Sequence, residues 1–257
     1  MEIAVRCAAG SNVGLVRENN EDSAYAGRWL CAVADGLGGH VAGEVASATV
    51  IGSLRSWDTE VDVTDLAATL GRAVAEANDR LRRAVEDDPR IDGMGTTLTA
   101  MLWSGDRAAV AHIGDSRAYL LRDGELRQIT TDHNLANAVA GDPDAAAWLA
   151  QMLVRFLDGG PDESPDLAER ELDPGDRYLL CSDGLTGVAS DEVVREVLAA
   201  EPDPAAAVSQ LIRLAIEGGG PDNVTVVIAD VAEAAAEQAP VQPVTVGAAA
   251  GPGAGPG

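Results

Sequence analysis

The chain is poor in basic residues, aromatics and cysteine, and it has no long apolar run. Its 257 residues include 18 Lys+Arg against 42 Asp+Glu, a formal net charge of −24. A field of that sign repels phosphate backbones and anionic lipid, which argues against a nucleic-acid or membrane-surface partner. The same acidity fits a general solubility bias, and it tolerates or concentrates divalent cations. Aromatic content is 3% while hydrophobic content is 46%, so the core must be built from Ala, Val, Leu and Ile. The three cysteines, Cys7, Cys31 and Cys181, are odd in number and contain no CxxC pair. They read as small buried hydrophobes in a reducing compartment and not as a disulfide framework. The N-terminal "MEIAVRCAAG" lacks a basic region followed by an apolar one, so no signal peptide is expected. No apolar stretch reaches the about 18 residues of a membrane-spanning helix. A soluble cytoplasmic protein is the expectation.

The last segment, "APVQPVTVGAAAGPGAGPG" (Ala239–Gly257), is uncharged and rich in Pro, Gly and Ala. Its composition predicts a disordered tail over 233–257 behind one folded domain of residues 1–232. Within that domain, helices are predicted after the glycine-rich "GLGGHVAG", over "TDLAATLGRAVAEANDRLRRAVED" with Thr64 as N-cap, after Ser190, and after Asp203-Pro204 up to Gly218. The runs "WLCAVA", "TTLTAMLW", "RAAVAHIGD", "SRAYLLRDGELRQIT", "RYLLCSD" and "NVTVVIAD" read as strands, with "RDGE" as an Asp-Gly hairpin turn. Strands joined by hairpins imply antiparallel sheet, and helices arriving in consecutive pairs imply helical hairpins. The fold class expected is α+β, two stacked mainly antiparallel sheets flanked by helix pairs.

Four aspartates stand at ends of these strands beside small residues. Asp35 closes "WLCAVAD" and Asp183 closes "RYLLCSD", each followed by Gly-Leu and a further glycine. Asp115 sits in "HIGDSRAY" and Asp222 precedes "NVTVVI". Any one Asp-Gly alone is a turn. Four together, gathered at one rim of a two-sheet sandwich, form a cluster whose members stay ionised only with cations between them. Oxygen ligands without clustered His or Cys suit hard ions, Mg²⁺ or Mn²⁺. The glycines allow backbone to approach such ions closely, and the Gly36 carbonyl is a candidate ligand. Arg17, in "GLVRENNEDSAY", reads on its own as a surface or ion-paired residue. Beside a carboxylate–metal site it becomes a candidate phosphate clamp.

The motifs "VRENNEDS", "ADGLGGHVAGEVAS", "GMGTTLTAML", "AHIGDSRAYLLRDGELRQITTDH", "LLCSDGLTG" and "GGPDNVTVVI" occur in this order. Together, over about residues 5 to 230, they resemble the metal-dependent type 2C (PPM) family of Ser/Thr protein phosphatases in its bacterial form. The resemblance implies an αββα sandwich with a binuclear Mn²⁺/Mg²⁺ centre at one rim. It implies that Asp35 bridges the two ions, that the Gly36 carbonyl completes one shell, and that Asp183 and Asp222 hold the other ion. Arg17 would bind the substrate phosphate. Asp22 would hold water in the outer shell, with Glu21 as a weaker candidate. Some bacterial members take a third ion, for which Asp115 would be a ligand sharing Asp183.

The implied reaction is hydrolysis of phosphoserine and phosphothreonine by a water activated between the cations. By resemblance the partners are Ser/Thr-phosphorylated proteins and a cognate Ser/Thr kinase that the enzyme opposes, and the chain is expected to be a monomer. Two departures from the family pattern stand out. Leu37 occupies the position of a histidine that follows the Asp-Gly in eukaryotic members, and His40 should not inherit that histidine's role. The stretch 134–166, in the place of a substrate-access flap, lacks the usual His-Pro before Arg155. Asp144 and Asp158 are possible further ligands of a third ion. His112 and His133 read as structural. The alternatives are a catalytically inactive relative that binds phosphoproteins or a regulator, and a phosphatase of small phosphoesters.

Overall fold

In a computed structural model, residues 3–38, 42–138, 149–150, 152–161, 163–234 and 242–251 are described. His40 and Asp144 lie outside them, as does part of the stretch 134–166. The strands are β1 (Ile3–Asn12), β2 (Asp22–Ala26), β3 (Leu30–Leu37), β4 (Gly95–Thr96), β5 (Leu98–Ser104), β6 (Arg107–Ile113), β7 (Arg117–Arg122), β8 (Glu125–Gln128), β9 (Asp166–Glu171), β10 (Arg177–Cys181), β11 (Val224–Glu233) and β12 (Val244–Gly247). The helices are α1 (Ala42–Leu54), α2 (Leu66–Asp87), the single turns α3 (Leu135–Ala138) and α4 (Asp183–Thr186), α5 (Asp191–Ala200) and α6 (Pro204–Glu217).

One sheet has the order β1-β11-β10-β7-β8; the other runs β12-β2-β3-β5-β6-β9, with β4 paired to β3. The strand pairs are antiparallel, as the hairpin spacing predicts. Three apolar layers hold the stack. Leu66, Leu70, Val74 and Leu81 of α2 and Val50, Ile51 and Leu54 of α1 pack on the outer face of the second sheet. Between the sheets lie Val33, Met101, Val110, Leu180 and Val227. Val194 and Leu198 of α5 and Ala207, Val208 and Leu211 of α6 cover the first sheet. Apart from a few buried rings such as Tyr119 and Tyr178, the layers are aliphatic, as the shortage of aromatics requires.

Local signals act where expected at three points. Ser190 accepts from the Val193 amide, and Asp203, followed by Pro204, accepts from the Ala206 amide, so both caps form. The β7–β8 turn has positive φ at Asp123 (54°) and Gly124 (80°), the conformation an Asp-Gly hairpin provides. Thr64 is not the cap of α2. Its amide and hydroxyl both donate to Asp62, which caps a 3₁₀ turn at 63–65 that leads into the helix.

The expectation of a structureless tail from 233 onward fails for 244–250. β11 itself runs to Glu233, and β12 pairs with β2 from Val244↔Ala26 to Gly247↔Ser23. Averaged composition concealed a short β-branched stretch, Val-Thr-Val, that finds an open sheet edge. Val246 packs against the layer between the sheets and Ala249 against the α1–α2 layer. Among the described residues no helix is long and apolar enough to cross a membrane.

Candidate active site

Residues from both sheets meet at one end of the sandwich, around a cleft of about 510 Å³. Arg17, Asp35, Gly36, Asp115, Asp183 and Asp222 line it, together with Glu21, Leu37 and Asn223. Thus Arg17, Asp35, Gly36, Asp115, Asp183 and Asp222, with the weaker candidate Glu21, share one cavity. Asp22 lies fully buried, facing Asp35 across the β2–β3 pair.

Asp35 sits near the end of β3 because its main chain is pinned on both sides. Its amide donates to Thr97 Oγ1 (3.0 Å), while Thr96 Oγ1 and the Thr97 amide donate to its carbonyl (2.8 and 2.9 Å). Only glycine fits next. A Cβ at Gly36 would strike the carbonyl oxygens of Gly43, in the first turn of α1, and of Glu21. The first turn of α1 therefore closes directly on the Asp-Gly step.

Asp183 opens α4 immediately after β10, and the Gly187 amide donates to its carbonyl (2.7 Å). A Cβ on Gly184 would run into the Asn223 carbonyl, which is why the second Asp-Gly is also glycine. Asp115 occupies the turn between β6 and β7, beside a buried Thr97–Ser116 hydroxyl pair (2.5 Å).

Burial, reinforced by neighbouring carboxylates, dominates the electrostatics. It pushes Asp35 well above the usual carboxylate range, with Asp22, Asp183, Asp115 and Asp222 adding to the shift. Asp183 moves up through burial and then Asp222, against a hydrogen bond from Asp35 that lowers it. Asp115 rises to about 7 through burial, Asp183 and Asp132. Asp22 also rises to about 7, chiefly through burial, although Ser182 Oγ donates to its Oδ2 at 2.7 Å.

Asp222 uses both oxygens. Oδ1 accepts from the Asn223 amide (2.8 Å) and Oδ2 from Arg17 Nη2 (2.7 Å). Arg17 is therefore an ion-paired residue, and Asp222 raises its pKa further. The pair engages one nitrogen of a fork with five N–H donors, so donors remain for phosphate oxygens.

Sequence reasoning missed what holds Arg17 in place. Asn223 Oδ1 accepts from the Glu21 amide (2.7 Å), and its Nδ2 donates to the carbonyls of Val13 (3.0 Å) and Asn19 (2.9 Å). One buried amide thus ties both ends of the loop carrying Arg17. Gly14, at φ 81°, and the Leu15 amide, which donates to the Gly220 carbonyl (2.8 Å), complete the seam. The only sequence signal was the adjacency of Asn223 to Asp222.

His112 and His133 take structural positions. His112 contacts Thr99 Oγ1 (3.0 Å) and the Thr131 carbonyl (3.1 Å), and burial, with His133 nearby, lowers its pKa to about 4. His133 Nδ1 accepts from the Gly114 amide (3.1 Å), and its Nε2 contacts both Asp166 Oδ2 (3.0 Å) and Arg155 Nη1 (2.8 Å). Arg155 pairs with the same Asp166 (2.9 Å) and with the Ser164 carbonyl (2.6 Å). Asp158 accepts from the Gly160 amide (2.7 Å) in a local turn and does not line the cleft.

These residues fit a hard divalent cation. Four carboxylates converge, burial and mutual repulsion disfavour the charged forms of Asp35, Asp115 and Asp183, and positive charge among them removes that penalty. Asp22 Oδ1 is buried without a hydrogen-bond partner among the described residues. No group of three or more His, Cys, Asp or Glu among the described residues forms a ready-made cage. Mg²⁺ does not require one, because it keeps several waters and binds through one or two carboxylates.

Comparisons with known proteins agree with this geometry. The family model described as Protein phosphatase 2C matches residues 16–214. The serine/threonine protein phosphatase PstP of Mycobacterium tuberculosis is 49% identical over 255 residues, which is 97% of this chain and 49% of that protein. The chain therefore spans about half the length of that curated relative. Protein phosphatase PhpP of Streptococcus pneumoniae is 35% identical over 241 residues, 88% of this chain and 98% of that one. Among solved structures, the catalytic domain of PstP in complex with two manganese ions is 50% identical, superposes with a TM-score of 0.85, and covers 90% of this chain and 100% of its own. The α+β architecture of two antiparallel sheets between helix pairs, the cleft and these matches have one common answer: the chain belongs to the protein phosphatase 2C family.

Proposed function

We propose that the chain is a metal-dependent phosphatase of phosphoserine and phosphothreonine in proteins. The carrying observation is the convergence of Asp35, Asp115, Asp183 and Asp222 on one cleft with Arg17 paired across it. In this reading Asp35, the Gly36 carbonyl, Asp183 and Asp222 would hold two Mn²⁺ or Mg²⁺ ions, and Asp115 with Asp183 a third. The ions would supply an activated water and charge neutralisation for hydrolysis of the phosphoester. Arg17 takes the phosphate oxygens and orients them towards the carboxylates. Asp22, beneath the cleft, fixes the polar floor through Ser182. Leu37 has no proton to give to a leaving group. The acidic surface disfavours nucleic acid as a substrate. A cognate Ser/Thr kinase is the partner class this activity opposes, and the enzyme acts as a monomer.

The test is hydrolysis of p-nitrophenyl phosphate and of a phosphothreonine peptide with Mn²⁺, with EDTA, and in Asp222→Asn. Turnover of both substrates that EDTA abolishes and Asp222→Asn cripples is expected. Full activity in EDTA overturns the metal reading. Turnover of p-nitrophenyl phosphate without the peptide makes the chain a small-phosphoester hydrolase. Silence with every divalent ion makes it an inactive, binding relative.

A further inference from the structure

The C-terminal segment touches the cleft from behind. Gly247, the last residue of β12, has φ 72°, and a Cβ there would collide with the Asp22 carbonyl oxygen. Two residues on, the Ala249 amide donates to Ser23 Oγ at 3.0 Å. Ser23 Oγ lies 2.9 Å from Ser47 Oγ, and Ser47 Oγ donates to the Glu21 carbonyl at 2.5 Å. Both serines are fully buried.

The directions in this chain are fixed by donor count. A hydroxyl has one proton. The Ser47 proton goes to the Glu21 carbonyl, so Ser47 accepts from Ser23, and Ser23 in turn accepts from Ala249. The relay runs one way, from the segment's backbone to Glu21. The Glu21 carbonyl also accepts from the Gly36 amide at 3.2 Å, next to Asp35. The segment therefore reaches both candidate-ligand strands, through Asp22 on β2 and through Glu21 to Gly36 on β3. Val246 and Ala249, packed on opposite sides of the second sheet, anchor it.

We infer that residues 244–250 are a positioning strap for the carboxylate cleft, docked on the β2 edge and acting through Ser23 and Ser47 on the backbone of Glu21, Asp22 and Gly36. The inference rests on the phosphatase reading for its functional consequence alone. The docking itself does not depend on it.

The experiment uses the full chain and two variants, Gly247→Val, which cannot seat beside Asp22, and Ser23→Ala, which cuts the relay and leaves the fold's apolar layers intact. Hydrogen exchange of the Ser23–Ala26 amides, Mn²⁺ affinity by calorimetry, and kcat and KM with p-nitrophenyl phosphate are read together. Gly247→Val is expected to speed exchange on β2 at least tenfold and to weaken Mn²⁺ binding several-fold. A synthetic peptide of residues 242–251 added in trans is expected to restore both. Ser23→Ala is expected to weaken Mn²⁺ binding and lower kcat with little change in KM. Unchanged β2 exchange in Gly247→Val overturns the docking. Faster exchange with parental Mn²⁺ affinity in both variants makes the strap a mere cover and overturns the positioning role. Should the parent protein turn over no phosphate monoester, the function proposal fails, while the exchange and calorimetric readings still decide the strap.

Discussion

Arg17 and Asp222 stand 205 residues apart in the chain and 2.7 Å apart across the cleft. The guanidinium and the cations proposed for the site draw on the same carboxylate. Removing Arg17 therefore frees Asp222 for metal while it removes a phosphate donor. A charge-assisted hydrogen bond contributes about 1.5–3 kcal/mol, and Arg17 is half exposed, so the lower end applies. Arg17→Ala should raise KM for a phosphothreonine peptide about tenfold, with no rise in the Mn²⁺ concentration giving half-maximal rate. Steady-state kinetics at graded Mn²⁺ check this. A collapse in metal affinity with KM intact would show that Arg17 serves the ions and not the phosphate.

Asn223 makes three hydrogen bonds to main-chain atoms of the loop that carries Arg17. Asn223→Ala leaves the Glu21 amide and two carbonyls without partners, at a cost of about 1–3 kcal/mol. Thermal unfolding should show a drop in Tm of several degrees. KM should rise more than kcat falls, since the loop loses its seat before the carboxylates move. An unaltered Tm would mean that water replaces the amide without loss.

The cleft's carboxyls also set a pH signature for the metal-free protein. Asp22 and Asp115 stand at about 7 in the folded state, above the ordinary 3.8. A carboxyl raised on folding stabilises the protein fully below its unfolded pKa, and that contribution is lost as pH rises through the folded value. In EDTA the protein should therefore lose stability between pH 4 and 7 and melt at a lower temperature at pH 8 than at pH 5. Added Mn²⁺ should shrink the difference. Differential scanning fluorimetry across pH reads both. A metal-free Tm that climbs steadily from pH 4 to 8 contradicts the assignment.

Gly36 is enclosed by two backbone oxygens, those of Gly43 and Glu21, which cannot swing aside as side-chain ends do. Gly36→Ala must push α1 or β2 away from Asp35. Overpacking of this kind costs roughly 1–3 kcal/mol. The variant should remain folded, melt lower, and show a loss of turnover that saturating Mn²⁺ does not repair. Recovery at high Mn²⁺ would show that only affinity, and not geometry, had changed.

Much of this architecture was legible because the central strands are aliphatic. β3, β5, β6, β10 and β11 carry buried runs of Val, Leu, Ile and Ala whose lengths suit strands. β1 was not read as a strand, since "IAVRCAAGSN" alternates weakly and its residues are mostly half-buried. β9, "DLAERE", is mostly exposed and charged at an edge, so no apolar periodicity marks it. β12 was hidden by the Pro, Gly and Ala around it. In the site, each aspartate was visible because a strand ends there beside glycine. Asn223's hold on the loop and Arg17's pairing with Asp222 are contacts between distant parts of the sequence, which no local pattern encodes.

The pairing of β1 with β11, from Ile3↔Glu233 to Asn12↔Val224, has a consequence for synthesis. Strand β1 waits for a partner made more than two hundred residues later. The first sheet keeps an open seam until residue 233 has left the ribosome, and pairings of such separation form slowly. Arg17 and Asp222 lie along that same seam. A nascent chain thus carries no assembled cleft, and the hydrolysis proposed for it can begin only once β11 has emerged and paired with β1.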